Sequence, residues 1–249
     1  MKRQKIRKLL LLISLLLFPV TIWYFSPVLI LAGVARHIIT GSCIVFALMF
    51  IGSLFFSRIF CAFLCPAGCL QECASLINDR RSKQGKRDFI KYIIWIIWIS
   101  CIVAIFIRGK GPVKAEPFFM TDHGISIAEI RSYVIYYGIL LIILLPPILA
   151  GKRAFCHYLC WMAPFMVLGS KLGRMLHLPQ LHIHVERNKC VGCGICTGHC
   201  PMGLDAASFA KAGSFIHAEC IQCGACVDSC PQHALHYSFR IVKGSHDGK

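Results

Sequence analysis

Between Leu9 and Ala150 the chain carries four long apolar segments, and they limit its fold more than any other feature. A hydrocarbon core about 30 Å thick takes roughly 20 helical residues to cross. The first segment runs from Leu9 to Ala32, interrupted by Pro19 and Pro27 and carrying Trp23 and Tyr24, a pair suited to the membrane–water interface. The second is Ile38 to Ser57, uncharged and bracketed by Arg36 and Arg58. The third is Tyr92 to Ile107, with Lys91 able to snorkel at its edge, and the fourth is Tyr133 to Ala150. A chain that is 57% hydrophobic and only 15% charged has the balance of a membrane protein.

The net charge of +16 is uneven: 21 Lys/Arg and six Asp/Glu fall in residues 1 to 185, against six and five in the remainder. These basic residues sit in short stretches beside apolar runs, not on a soluble face interleaved with aromatics, so nucleic acid is not the expected partner. They act as topology signals. The first eight residues, the stretch from Arg58 to Lys91 and the stretch from Lys152 to Arg174 hold 16 Lys/Arg, whereas the opposite side has only Arg36, Arg108, Lys110, Lys114 and Arg131. The expectation is a multi-pass protein of the bacterial inner membrane with both termini cytoplasmic. An alternative for residues 1 to 35 is a cleaved signal peptide, although the apolar stretch is longer than the usual one; the topology of the rest is the same either way. Residues 163–181 are too short and too charged to cross again, and form an interfacial amphipathic helix and linker.

Sixteen cysteines in so apolar a chain point to metal ligation. From residue 182 the pattern Cys190-x2-Cys193-x2-Cys196-x3-Cys200-Pro201 recurs as Cys220-x2-Cys223-x2-Cys226-x3-Cys230-Pro231. This is the bacterial run that holds two [4Fe-4S] clusters, the fourth cysteine of each row ligating the other row's cluster. Cluster one takes Cys190, Cys193, Cys196 and Cys230; cluster two takes Cys220, Cys223, Cys226 and Cys200. Structural zinc, the competing use of CxxC pairs, does not need a triple-cysteine run twice over.

A second repeat lies at the membrane edge. "SRIFCAFLCPAG" from residue 57 aligns with "KRAFCHYLCWMA" from residue 152 at a constant offset of 95, pairing Arg58 with Arg153, Cys61 with Cys156 and Cys65 with Cys160. Each copy follows an outward-to-inward span, as in parallel repeats. The expected fold is therefore an all-α four-transmembrane-helix bundle of two pseudo-repeated hairpins (1–162), with a C-terminal α+β ferredoxin domain holding two [4Fe-4S] clusters (182–249). On a helix, residues i and i+4 share a face, so each CxxxC pair presents both sulfurs to one partner, while Arg58 and Arg153 favour thiolate. The four thiols then form an additional iron–sulfur centre; the competing reading is small buried hydrophobes or redox thiols. Cys69 and Cys73 are expected to be packing or local thiols, and Cys43 and Cys101 packing residues.

Over nearly its whole length the chain resembles the NapH/MauN family of polytopic ferredoxin-type proteins, through "SPVLILAG", "FCAFLCPAGCLQE", "FCHYLCWMAPFM" and the double ferredoxin run. The resemblance implies a quinol dehydrogenase membrane component, passing electrons between the quinone pool and a partner ferredoxin-type, cytochrome or reductase subunit, as in periplasmic nitrate reduction. Trp161 departs from the pattern by standing where proline follows Cys65 in the first copy. For quinone contact or cluster environment the candidates are His157, Arg58 and Arg153; Arg36, His37, Asp122, His123 and Glu129 are outer-side alternatives. An accessory protein that maintains a partner metalloenzyme is the second functional reading. A transporter is disfavoured by the near absence of charge in the spans.

Overall fold

A run of leucines behind a basic first turn makes helix α1, Lys2–Leu16, whose Arg7 and Leu11 share one buried face. Helix α1 stops because Pro19 offers no amide to a continuing helix, and its ring strikes the preceding turn. The chain bends by 61° into α2, Phe18–Thr21, and a 3-10 turn at Ile22–Phe25. Ser26, extended ahead of Pro27, then opens α3, Pro27–Ala35. The expected first span is thus a broken segment, not one helix. The computed structural model describes residues 2–82, 85–108, 114–212 and 214–241; Lys110, counted above, lies outside them.

Strand β1, Ile38–Thr40, leads into α4, Gly41–Phe56, where the Thr40 hydroxyl accepts from the Cys43 amide at 3.4 Å. These 16 residues rise about 24 Å, short of a full crossing. Two short helices follow, α5 (Ile59–Phe63) and α6 (Pro66–Ala74). Then come α7 (Ile90–Arg108), strand β2 (Lys114–Glu116, parallel to β1) and α8 (Ile130–Ala150). Among the described residues, the segments around α7 and α8 are the two helices long and apolar enough to cross a membrane, or three crossings if the bent first pair is one. The apolar side chains of α7 are largely exposed, which suits lipid. Cys101 is exposed there as well, so it is not the packing residue expected.

Helix α9 (Ala154–Tyr158) precedes α10 (Ala163–Met175), which lies along α4. Gly169 and Gly173 permit this: a Cβ on the first would collide with Ser53 Oγ and on the second with the Leu54 carbonyl. The opposite side of α10 leaves Leu168 and Met175 exposed. The C-terminal part is built on a three-stranded antiparallel sheet. Its central strand β3 (Pro179–Val185) starts three residues ahead of the His182 boundary and is flanked by β4 (Ser214–Phe215) and β5 (Leu235–Ile241). Short helices α11 (Ile195–Gly198), α12 (Ala206–Ala212) and α13 (Ala225–Asp228) cover it.

The start of α1, the end of α4, the start of α7 and the end of α8 all meet the ferredoxin sheet's side of the molecule. Arg3 pairs with Asp228, Gln180 Nε2 donates to the Leu54 carbonyl at 2.7 Å, Lys91 pairs with Glu219, and Lys152 Nζ reaches the Gly198 carbonyl at 3.4 Å. At the other end the Trp23 amide donates to Ser126 Oγ at 3.1 Å, and Tyr24 donates to the Gly124 carbonyl at 3.2 Å.

Candidate electron-transfer site

The two CxxxC copies end with the same pair of hydrogen bonds, although they begin differently: the Cys61 amide donates to the Arg58 carbonyl at 3.0 Å, whereas the Cys156 amide donates to Gln71. Leu64 and Cys65 amides both donate to the Phe60 carbonyl, at 2.9 and 3.1 Å; Leu159 and Cys160 amides donate to Phe155, at 2.9 and 3.0 Å. Each one-turn helix therefore closes at its second cysteine. Cys65 is extended (φ −82°, ψ 117°) because it precedes Pro66. This corrects the expectation of two sulfurs on one helical face: the first cysteine of each pair is helical and the second leaves the helix. All four thiols are nonetheless buried, and the Cys65 thiol interacts electrostatically with Cys61, Cys156 and Cys160. Trp161, in place of proline, donates from Nε1 to the Phe25 carbonyl at 3.0 Å, while the Phe25 and Phe60 rings lie 5.7 Å apart. The broken first segment thus caps both copies. In the second copy the next helix starts around Pro164, 98 residues after Pro66, so three residues are inserted relative to the offset of 95.

Arg58 and Arg153 are wholly buried. Arg58 Nη1 donates to Glu219 Oε2 at 2.6 Å, and Lys91 Nζ takes Glu219 Oε1 at 2.5 Å. Arg153 Nη2 donates to Glu72 Oε1 at 2.5 Å, and Arg7 grips both oxygens of Glu72 at 2.6 and 2.8 Å. Arg153 Nη1 also crosses to the first copy, donating to the Cys61 carbonyl at 3.0 Å. Burial alone would raise the Glu219 carboxyl, but Arg58 and Lys91 hold it down to about 2. The thiols behave otherwise. Burial pushes Cys61 and Cys65 up and Cys160 to about 12; Arg58 and Arg153 pull the Cys61 thiol down without reversing the effect. At Cys61 the two arginines thus act in the expected direction, toward thiolate, while desolvation in a low-dielectric site acts more strongly the other way.

Arg58 Nε and Nη2, Arg153 Nε and His157 Nδ1 are buried without a hydrogen-bond partner. The direct ion pairs set four cations against two carboxylates, with Asp88 at the rim, 3.7 Å from His157. Four thiols beside surplus positive charge and the unpartnered N–H groups of Arg58 and Arg153 fit an anionic, thiolate-ligated group. His157 faces the ferredoxin domain: Nε2 donates to the Met202 carbonyl at 2.9 Å, and burial lowers its pKa against the opposing pull of Glu219. The outer-side candidates lie at the far end, where Arg36 stacks over Phe119 at 5.3 Å, Asp122 and His123 are 3.7 Å apart, and Glu129 precedes α8. Four residues that sequence reasoning missed complete the inner site: Arg7, Glu72, Glu219 and Gln71. Gln71 donates to Cys156 Sγ at 3.1 Å and accepts from the Cys156 amide at 3.2 Å. The available signal was the polar pair in "CLQEC", since a glutamate flanked by apolar surface needs a partner.

In the C-terminal part the two cysteine rows interleave around two separate cavities. One is lined by Cys190, Cys193, Cys196 and Cys230, and the other by Cys200, Cys220, Cys223 and Cys226. The cavities enclose about 410 and 320 Å³ of empty space, open mouths included. Gly194 and Gly224, at φ 75° and 70°, open equivalent one-turn helices in the left-handed conformation that glycine permits. Four thiols converging on each cavity, one drawn from the opposite row, suit a cuboidal four-iron cluster.

These features define a class: ferredoxin-type domains that transfer electrons through [4Fe-4S] clusters, joined to apolar helices able to enter a membrane. Comparison with known proteins agrees. Residues 182–231 match the family described as 4Fe-4S dicluster domain. Residues 39–86 and 134–179 match, in two copies, the family described as 4Fe-4S binding domain, so the copies begin 95 residues apart, the offset of the internal repeat. An Escherichia coli K12 protein named "Putative electron transport protein YccM" is 26% identical over 170 residues, which cover 61% of this chain and 43% of the relative. The chain thus spans less than half of that relative's length. No solved structure matches the chain.

Proposed function

We propose that the protein is an electron-transfer subunit of the bacterial inner membrane, of NapH/MauN type, passing electrons between the quinone pool and a partner redox enzyme such as a periplasmic nitrate reductase system. The observation that carries this reading is that all three cysteine groups share one end of the apolar helices. Cys190, Cys193, Cys196 and Cys230 would hold cluster one; Cys220, Cys223, Cys226 and Cys200 would hold cluster two; Cys61, Cys65, Cys156 and Cys160 would hold a further centre at the membrane edge. Bound clusters supply one-electron oxidation and reduction; a quinol becoming quinone releases two electrons and two protons. The chain's own part is to hold the sulfurs, keep water out, and balance cluster charge with the buried Arg58 and Arg153. Both termini, with every cluster, are assigned to the cytoplasmic side on the Lys/Arg distribution. The test is anaerobic mixing of the purified holoprotein with a reduced quinol analogue: cluster absorption bleaches if the reading is right and stays unchanged if the protein takes no electrons from quinol.

A further inference from the structure

The two ferredoxin cavities face different surroundings. In the first, Cys193 is exposed, Cys190 and Cys230 are half-buried, and the neighbouring Val191 is 68% exposed. In the second, all four cysteines are buried. The membrane part supplies much of that cover. Gln4 Nε2 donates to the Cys223 carbonyl at 3.0 Å and to Asp228 at 2.7 Å, while Arg3 takes Asp228 through Nε at 3.1 Å. Gly203 packs on Arg81, and the Met202 carbonyl accepts from His157, within the second CxxxC copy. Glu219, immediately before Cys220, is clamped by Arg58 and Lys91. Both of those cations are wholly buried.

We infer that the ferredoxin domain is fixed in one orientation, with the cavity of Cys200, Cys220, Cys223 and Cys226 as the membrane-side station and the cavity of Cys190, Cys193, Cys196 and Cys230 as the solvent-side station. Glu219 and Asp228 are the positioning residues. Two independent contacts, one to α1 and one to the Arg58 and Lys91 pair, bracket the second row and prevent the domain from rotating about the short connection between α10 and β3. A buried carboxylate shared by two buried cations is costly to separate, because either partner alone keeps an uncompensated charge. The electron route therefore has a built-in order, whichever direction the electrons take. This inference rests on the preceding reading only in placing a cluster in each cavity.

The test uses the detergent-purified holoprotein. Brief exposure to a hydrophilic iron chelator, quenching with iodoacetamide and peptide mass spectrometry report which cysteines lose their metal first. In the unmodified protein Cys190, Cys193, Cys196 and Cys230 are expected to alkylate roughly tenfold sooner than Cys200, Cys220, Cys223 and Cys226, in line with local opening of the exposed site. In Glu219→Gln combined with Asp228→Asn the gap should close to less than about threefold, since the second row then loses its cover. Equal rates in the unmodified protein would overturn the fixed order, and that result needs no variant to fold. An undiminished gap in the double variant would remove Glu219 and Asp228 as positioning residues. Absence of iron from both rows as isolated would instead contradict the cluster assignment itself, which separates the two failures.

Discussion

Arg58 and Arg153 stand at equivalent places, each three residues ahead of the first cysteine of its pair, yet they are seated differently. Arg153 is held within the membrane part by Glu72 of α6, with Arg7 as the second cation; Arg58 is held across the domain boundary by Glu219, with Lys91 as the second cation. The chemistry is the same in both copies, one carboxylate between two buried cations. The origin of the carboxylate differs, and with it the consequence: one seat closes the helices on themselves, and the other fastens the ferredoxin domain to them.

Glu72→Gln should separate the two seats most strongly. It strands Arg7 and Arg153, and breaking a buried pair costs about 3 to 5 kcal/mol; the 17% exposure of Glu72 argues for the lower end. Circular dichroism melts in detergent should show helix content lost at a clearly lower temperature, and an unchanged melt would break the idea that this seat closes the membrane part. Glu219→Gln is expected to act more locally. Cluster absorption should disappear several degrees before helix content falls, splitting one transition into two; a coincident loss would show that this seat is not specific to domain attachment. The smallest effect is that of pH. The Glu219 carboxyl is depressed from an ordinary 4.5 to about 2, so its contribution is complete above about pH 4.5 and declines as the pH falls toward 2. Domain attachment followed by cluster absorbance should be flat through neutral pH, and Glu219→Gln should erase any acid limb due to this group. A limb centred near neutral pH would point to a different group.

What the amino-acid order revealed, and what it hid, follows the range of the interactions. The ferredoxin rows were legible because cluster ligation imposes a local spacing, and the CxxxC repeat because duplication preserved a constant offset. Segments around α7 and α8 were legible because a long apolar run needs no partner to be recognised. The break after Leu16 was less so: Pro19 and Pro27 were visible, but only the packing of Phe25 against Phe60 and Trp161 shows that the segment turns back toward the cysteines. Pro66 is visible in the sequence, yet its effect on Cys65, pushing it out of the preceding helix, is hard to see beside the i, i+4 spacing of the pair. The partners of the two arginines were hidden altogether. Glu219 lies 161 residues from Arg58 and Glu72 lies 81 from Arg153, and no local pattern announces a pair at that distance. The burial of the Cys61 thiol, which opposes the pull of the two arginines, was hidden for a related reason: sequence shows the neighbouring charge but not the desolvation.

The further centre proposed at the two CxxxC copies requires iron in addition to that of the two ferredoxin clusters. Anaerobic determination of iron per chain, on the intact protein and on Cys61→Ala with Cys156→Ala, addresses it most directly. About ten to twelve irons are expected in the intact protein and about eight in the variant, with the ferredoxin clusters retained. About eight irons in both would contradict it and leave the four buried thiols as packing residues.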